Sequence, residues 1–184
     1  MAKPGSARQR QADLAVKTIR RARPAEARRL SDIALAAKAS WGYPASFMAR
    51  CRAALAVDPK TIIERQFHLA ESEDGTILGF YGFEPEPDGI GLSHLFVAPE
   101  AAGQGIGRAL WRHAVALARG IGQAQLLVVS DPHAAGFYAR MGAQPAGARP
   151  SEIDPARPLP MFRLRLDRAR SDLPDQNPDQ PVSR

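Results

Sequence analysis

Apolar and polar positions along this chain follow two different periods, and the switches between them predict its elements. Val16 to Arg21 alternates apolar and charged residues, the pattern of a half-buried strand. After Pro24, the Ala-, Leu- and Arg-rich run Ala25 to Ser40 favours helix, and Trp41-Gly42-Tyr43-Pro44 breaks it. Ala45 to Val57 predicts a second helix, with Phe47, Cys51, Ala54 and Leu55 as its buried stripe, interrupted by Asp58-Pro59. Thr61 to Arg65 is ambiguous between the two periods. Phe67, Leu69 and Glu71 then lead into Asp74-Gly75, a strong hairpin signal, with Ile77 to Phe83 as the return strand. Glu84 to Asp88 reads as an acidic loop and Gly91 to Val97 as a further strand. Beyond the Gly- and Ala-rich stretch Pro99 to Gly105, the residues Ile106, Leu110, Ala114, Leu117 and Ile121 recur at helical spacing. Leu126 to Val129 suits a buried strand, Ala134 to Met141 a short helix stopped by Gly142, and Met161 to Leu166 a last, strictly alternating strand.

This order predicts one mixed α/β (α+β) domain over about residues 14–167, its central sheet mostly antiparallel and flanked by helices. Residues 1–13, polar and basic, read as a disordered arm, and the Pro-, Asp-, Gln- and Arg-rich residues 168–184 as a disordered tail. No internal repeat is present. A composition of 45% hydrophobic and 24% charged residues excludes wholesale disorder. The lone Cys51 excludes an intramolecular disulfide framework. No apolar run approaches a membrane span, and the N-terminus lacks the apolar core of a secretory signal, so the expected location is the cytoplasm and no membrane partner is expected.

Charge sharpens the picture. The chain carries a net +6, which invites a nucleic-acid reading. However, residues 1–29 hold nine basic and two acidic side chains, net +7, leaving the rest at −1. From Gln66 to Gly107 there is no Lys or Arg, but there are Glu71, Glu73, Asp74, Glu84, Glu86, Asp88 and Glu100. A basic terminal segment on an acidic domain argues against a nucleic-acid-binding face. The acidic stretch suggests instead a rim that steers a cationic partner.

Gly103-Gln104-Gly105-Ile106-Gly107 lies between a predicted strand and a predicted helix. Glycines there let backbone approach a ligand, and the helix start offers unpaired N–H groups to an anion. A phosphate loop would need Gly-Lys-Ser/Thr, which is absent, and a dinucleotide fingerprint would need a third glycine where Arg108 or Leu110 stands. The run Leu95 to Leu110 resembles the acyl-CoA loop of the GNAT (Gcn5-related) N-acetyltransferase family, whose signature is Arg/Gln-x-x-Gly-x-Gly/Ala. Gly105 and Gly107 fill its two small positions, and Ala102 departs from its first. Ser130 to Ala143 resembles the family's segment ending Phe-Tyr-x-x-x-Gly-Phe/Ala, with His133 where many members have Asn. Pro150-Ser151 through Arg157-Pro158-Leu159-Pro160 resembles the ending of one bacterial branch, with Ala156 in place of Gly.

The resemblance implies a GNAT-like sheet with a splayed strand pair and transfer of an acetyl group from acetyl-CoA, as co-substrate, to the primary amine of a small molecule or peptide. It implies that Leu95, Phe96, Val97, Gly103, Gln104, Gly105, Ile106, Gly107, Arg108 and His133 bind the cofactor, and that Tyr138 is the general acid for the leaving thiolate. A phenol with a pKa near 10 is protonated at neutral pH and able to donate; packing of its ring on the sheet is the competing reading of Tyr138. His94 has the pKa of a general base, with Glu71, Glu84, Glu86 or a water chain as alternatives. Asp131 either reaches the pantetheine arm or caps the following helix. Trp41 to Pro44 lie where the family shapes its acceptor pocket, with packing in the core as the equal alternative for their aromatic rings, and His68 and His113 read as surface residues. No metal site is expected; a homodimer is compatible by analogy. A non-catalytic acyl-CoA-binding or sensor module is the alternative function.

Overall fold

The computed structural model describes residues 16–166; the basic arm and the tail expected from the sequence lie outside the described residues. Seven strands form one sheet in the order β1-β2-β3-β4-β5-β7-β6. They are β1 (Thr18–Arg21), β2 (Phe67–Glu71), β3 (Ile77–Glu86), β4 (Gly89–Val97), β5 (Gln125–Val129), β6 (Gln144–Pro150) and β7 (Pro158–Arg165). Five helices accompany them: α1 (Ala27–Ala39), α2 (Ala45–Ala54), α3 (Pro59–Glu64), α4 (Ile106–Gly120) and α5 (Ala135–Arg140). Every strand pair is antiparallel except β4–β5. That one parallel pair requires a crossover, which α4 supplies.

Period two divides the sheet's side chains between its faces. Gly79 and Tyr81 face α4: a Cβ on Gly79 would lie 3.2 Å from the Leu110 side chain, and the Tyr81 hydroxyl sits 2.8 Å from His113 Nδ1. Phe67, Phe80, His94 and Phe96 form an aromatic patch on the other face, with ring centroids 5.4–6.4 Å apart. Leu30, Ile33, Ala34 and Ala37 of α1 are all buried, each large apolar side chain contributing about 1.5–3 kcal/mol. In α2, Phe47 and Cys51 are buried as expected, whereas Ala54 is exposed.

Three segments differ from the sequence reading. Thr61 to Glu64, left ambiguous by periodicity, belongs to α3, which starts at Pro59 and is capped by Asp58 accepting from the Lys60 N–H at 2.6 Å, and Arg65 ends it in an extended conformation. Glu84 to Glu86, read as loop, extends β3, pairing with Gly91 to Gly89. β6 was not signalled at all. Six of its seven residues are exposed, so it has no apolar face to produce alternation, and Pro145 and Pro150 suit its edge position.

The acidic stretch also changes character once folded. Cations from elsewhere in the chain meet its carboxylates: Lys17 lies 2.9 Å from Glu73, Arg29 3.9 Å from Glu100, Arg65 3.8 Å from Glu84 and Arg149 3.3 Å from Glu86. Arg20 bridges Glu71 and Glu26, with Nε 2.7 Å from the former and Nη2 2.7 Å from the latter. A purely acidic rim therefore does not form, because the missing cations arrive by tertiary contact.

Candidate active site

The site begins where β4 and β5 part. Their ladder runs Ile90–Leu126, Gly91–Leu127 and Leu92–Val128 and then stops. Ser93 is a bulge: Gly82 pairs with His94 but Phe83 with Leu92, leaving Ser93 opposite no residue. A bulge bends its strand, and here Ser93 Oγ ties it back by donating to the Gly82 carbonyl at 3.0 Å. Past that point β4 stays on β3, while Val129 pairs with Met161 and the Ser130 N–H reaches the Pro160 carbonyl on β7. Leu95, Phe96 and Val97 consequently have β3 on one edge and no strand on the other. Unpaired backbone at such an edge needs a partner.

Beyond Val97 the chain turns through Pro99–Ala101 into the glycine loop. Gly103 and Gly105 have φ of 77° and 82°, left-handed values that side-chain-bearing residues adopt only at a cost. Gly105 is the N-cap of the 15-residue α4 and makes no side-chain cap, so the N–H groups of Ile106, Gly107 and Arg108 point outward with the positive end of the helix dipole. Gln104 donates to the Glu100 carbonyl at 3.1 Å and closes the loop. Arg108 is exposed, and its Nη2 would lie 3.7 Å from a Cβ on Gly105. Gly107 faces Val97 and Phe137, each 3.6 Å from a Cβ built on it, so the loop is held against both β4 and α5.

A cavity of about 280 Å³ opens beside the parted strands. Leu95, Phe96, His94 and Tyr138 line it from the sheet side, and Trp41, Lys38 and the loop 151–157 from the other. Tyr138 is buried on α5 among Trp111, Phe137 and Phe162, with centroids 5.2–6.0 Å away. Burial pushes its phenol well above the ordinary value. His94 donates from Nδ1 to Ser93 Oγ at 2.9 Å, because that hydroxyl already spends its proton on Gly82. This fixes the tautomer and leaves the lone pair on Nε2. Burial, with Arg65 adding to it, lowers its pKa to about 4. Glu84 lines the same cavity, its carboxyl pushed up by burial and by Glu86.

His133 is exposed and stacks on Trp41 at 5.7 Å, with Tyr43 edge-on at 5.2 Å. Asp131 caps the 3-10 turn by accepting from the His133 N–H at 3.0 Å. The sequence did not disclose its larger role. Asp131 also accepts from Lys38 Nζ at 2.9 Å, from the Tyr43 hydroxyl at 2.9 Å and from Arg157 Nη2 at 3.1 Å. Arg157 additionally donates to the Tyr43 hydroxyl. The Lys38 ammonium sits 5.4–5.8 Å from the ring centroids of Trp41, Tyr43 and Phe47.

His68 and His113, expected at the surface, are instead half-buried on the α4 face. The His68 ring stacks on Tyr81 at 5.3 Å, and its Nδ1 is buried without a partner. Burial, then the neighbouring His113 and Arg21, lower the His68 pKa to about 4, and burial lowers that of His113. The unfolded chain protonates its histidines from about pH 6.5 downward, whereas the folded chain resists until about pH 4 at His68 and His94. Stability is therefore full above pH 6.5 and declines as the pH falls toward 4. Glu84, with its raised pKa, works the other way, one group against three. Urea midpoints at pH 7.5, 6.0 and 5.0 should fall in that order, and His68→Gln should flatten the decline.

Residues 64–142 match the sequence model of the Acetyltransferase (GNAT) domain. The chain is 32% identical over 85 residues to a Bacillus subtilis (strain 168) protein assigned, provisionally, as a [ribosomal protein bS18]-alanine N-acetyltransferase. That match takes in 45% of this chain and 56% of the relative, so the chain spans little more than half the length of the curated relative. Among solved structures, a GCN5-related N-acetyltransferase from Rhodopseudomonas palustris superposes with a TM-score of 0.66 at 20% identity, covering 83% of this chain and 97% of the other. A GNAT family acetyltransferase from Brucella melitensis, solved in complex with acetyl-CoA, gives 0.56 at 24% identity over 85% and 90%. Residues 64–142 are thus similar in sequence to the GNAT domain, and the described domain has the fold of GNAT acetyltransferases.

Proposed function

We propose that this protein is an N-acetyltransferase that moves an acetyl group from acetyl-CoA to the primary amine of a small molecule or peptide. The observation that carries the reading is the parting of β4 from β5 at Ser93, beside a cavity that Tyr138 and His94 both line. The free edge of Leu95, Phe96 and Val97 suits the amides of a pantetheine chain. The loop Gly103, Gln104, Gly105 with the N–H groups of Ile106, Gly107 and Arg108 suits a pyrophosphate, and His133, stacked on the cavity residue Trp41, is the remaining cofactor contact in this reading. The Brucella melitensis structure holds acetyl-CoA on this fold, and the Bacillus subtilis relative is named for an alanine N-acetyl transfer; both support the same reading.

In this mechanism the neutral amine attacks the thioester carbonyl, forming the C–N bond as the C–S bond breaks. The nitrogen loses its extra proton to a group in the cavity, and the thiolate takes one from Tyr138. His94 offers a free lone pair on Nε2, but burial lowers its pKa to about 4 rather than leaving it near neutrality, so it is a weaker base than the sequence predicts and takes that proton only in passing. Glu84 is the second acceptor within the cavity.

The test is a panel of primary amines, small molecules and short peptides, incubated with acetyl-CoA while free thiol is measured. Amine-dependent thiol release is expected. If acetyl-CoA binds in calorimetry but no amine releases thiol, the protein is an acyl-CoA-binding module and the proposal fails.

A further inference from the structure

We infer that the acceptor of this enzyme carries a carboxylate, which docks on Lys38 and Arg157 in the lining of the cavity. The inference rests on the acetyltransferase reading and extends it to the substrate's chemical class.

The argument is a donor count. Asp131 receives four donors: the Lys38 ammonium, the Tyr43 hydroxyl, the Arg157 guanidinium and the His133 N–H. Its side chain is 8% exposed and that of Lys38 9%. One buried carboxylate is thus saturated, yet it faces two full cations. Lys38 has three N–H donors, of which one is used; Arg157 has five, of which two are used, both on Nη2. Both side chains line the cavity. Their other neighbours are the faces of Tyr43 and Phe47, 4.9–5.7 Å from the charged groups, which stabilise a cation but accept no in-plane hydrogen bond. Arg149, Glu84 and Glu152 also line the cavity, Arg149 paired with Glu86, but the Lys38–Arg157–Asp131 cluster itself carries one positive charge in excess and keeps spare donors, which a carboxylate matches in charge and in fork geometry.

A carboxylate elsewhere in the lining completes the match. Glu84 lines the cavity from β3 and is held only loosely by Arg65, at 3.8 Å. A ligand with a carboxylate at one end and an ammonium at the other meets groups of opposite charge at both ends. Amino acids, α or ω, and peptides presenting a carboxylate near the amine are of this class.

The experiment uses matched pairs. Phenylalanine is compared with phenethylamine, leucine with isoamylamine, and glycine, β-alanine and 4-aminobutyrate with methylamine, ethylamine and propylamine. Both kcat/KM with acetyl-CoA and calorimetric affinity for the CoA-loaded protein are measured. At least one acid is expected to exceed its carboxylate-free partner by roughly 10- to 100-fold, the effect of a charge-assisted contact. That ratio is expected to fall toward one in Lys38→Met, which keeps the apolar stem, and in Arg157→Met. Because it is a ratio within one variant, it is insensitive to partial loss of folded protein, and if neither variant folds, the wild-type ratio decides alone. A ratio at or below one throughout the panel overturns the inference, as does a preference that both variants retain. Carboxylate binding that Lys38→Met abolishes, without any thiol release, upholds Lys38 and Arg157 as a carboxylate site and refutes the acetyltransferase reading. Turnover of amines without any preference for carboxylates does the reverse.

Discussion

Tyr138→Phe is expected to lower kcat by about two to four orders of magnitude, the usual range for removing a positioned acid, while leaving acetyl-CoA affinity within about threefold. The substitution removes one oxygen and keeps the ring that packs against Trp111, Phe137 and Phe162. The hydroxyl makes no hydrogen bond among the described residues, so its loss leaves no protein group unsatisfied, and the unfolding midpoint should stay near that of the wild type. Burial holds the phenol protonated across the neutral range, so any proton it gives must go to a strongly basic acceptor that appears only during the reaction. A thiolate leaving a thioester in the same low-dielectric pocket is such an acceptor, since desolvation raises its affinity for a proton too. Steady-state kinetics, calorimetric titration with acetyl-CoA and urea unfolding on the same preparation separate the roles. A kcat within about threefold of the wild type would reduce Tyr138 to a packing residue and shift proton delivery to water.

Why Tyr138 was legible in the sequence while its neighbours were not follows from the kind of signal each residue gives. Tyr138 and the glycine loop sit in contiguous motifs, and contiguity survives in one dimension. Gly105 is readable because the left-handed turn before α4 imposes its own residue type. The Ser93 bulge leaves no such trace: its register shift is visible only when β3 lies alongside. Arg157 lies inside a recognisable segment, but its partners Asp131 and Tyr43 are 26 and 114 positions away. Lys38 did leave a clue. It continues the buried stripe Leu30, Ile33, Ala34 and Ala37 on α1, and a lysine at a core-facing position demands a counterion. Charge was misleading for the same reason: the Lys- and Arg-free stretch is acidic only in sequence, since Lys17, Arg20, Arg29, Arg65 and Arg149 reach it from outside. The edge strand β6 failed at the level of pattern, because an exposed strand has no reason to alternate.

Asp131→Ala is expected to destabilise the fold by about 3–5 kcal/mol, the cost of stripping one partner from a buried ionic cluster. Burial by itself would raise the Asp131 pKa, but hydrogen bonds from Lys38, the His133 N–H and Tyr43 outweigh it and hold the carboxylate below its ordinary value. It is therefore charged throughout the neutral range, and its removal leaves Lys38 and Arg157 facing each other across an apolar floor of Tyr43 and Phe47. It also unties three segments at once, since Lys38 belongs to α1, Tyr43 to the α1–α2 turn and Arg157 to the β6–β7 loop. If the loss is electrostatic, adding Lys38→Met to Asp131→Ala should restore part of it, because the double variant buries one cation fewer. If it is a loss of tethering, the two losses should add. Urea unfolding of the four proteins of this cycle reads the coupling directly, and a double variant whose loss falls more than about 1 kcal/mol short of the sum of the single losses, within the range for residues in contact, assigns Asp131 as the counterion that lets two cations stand in the cavity wall.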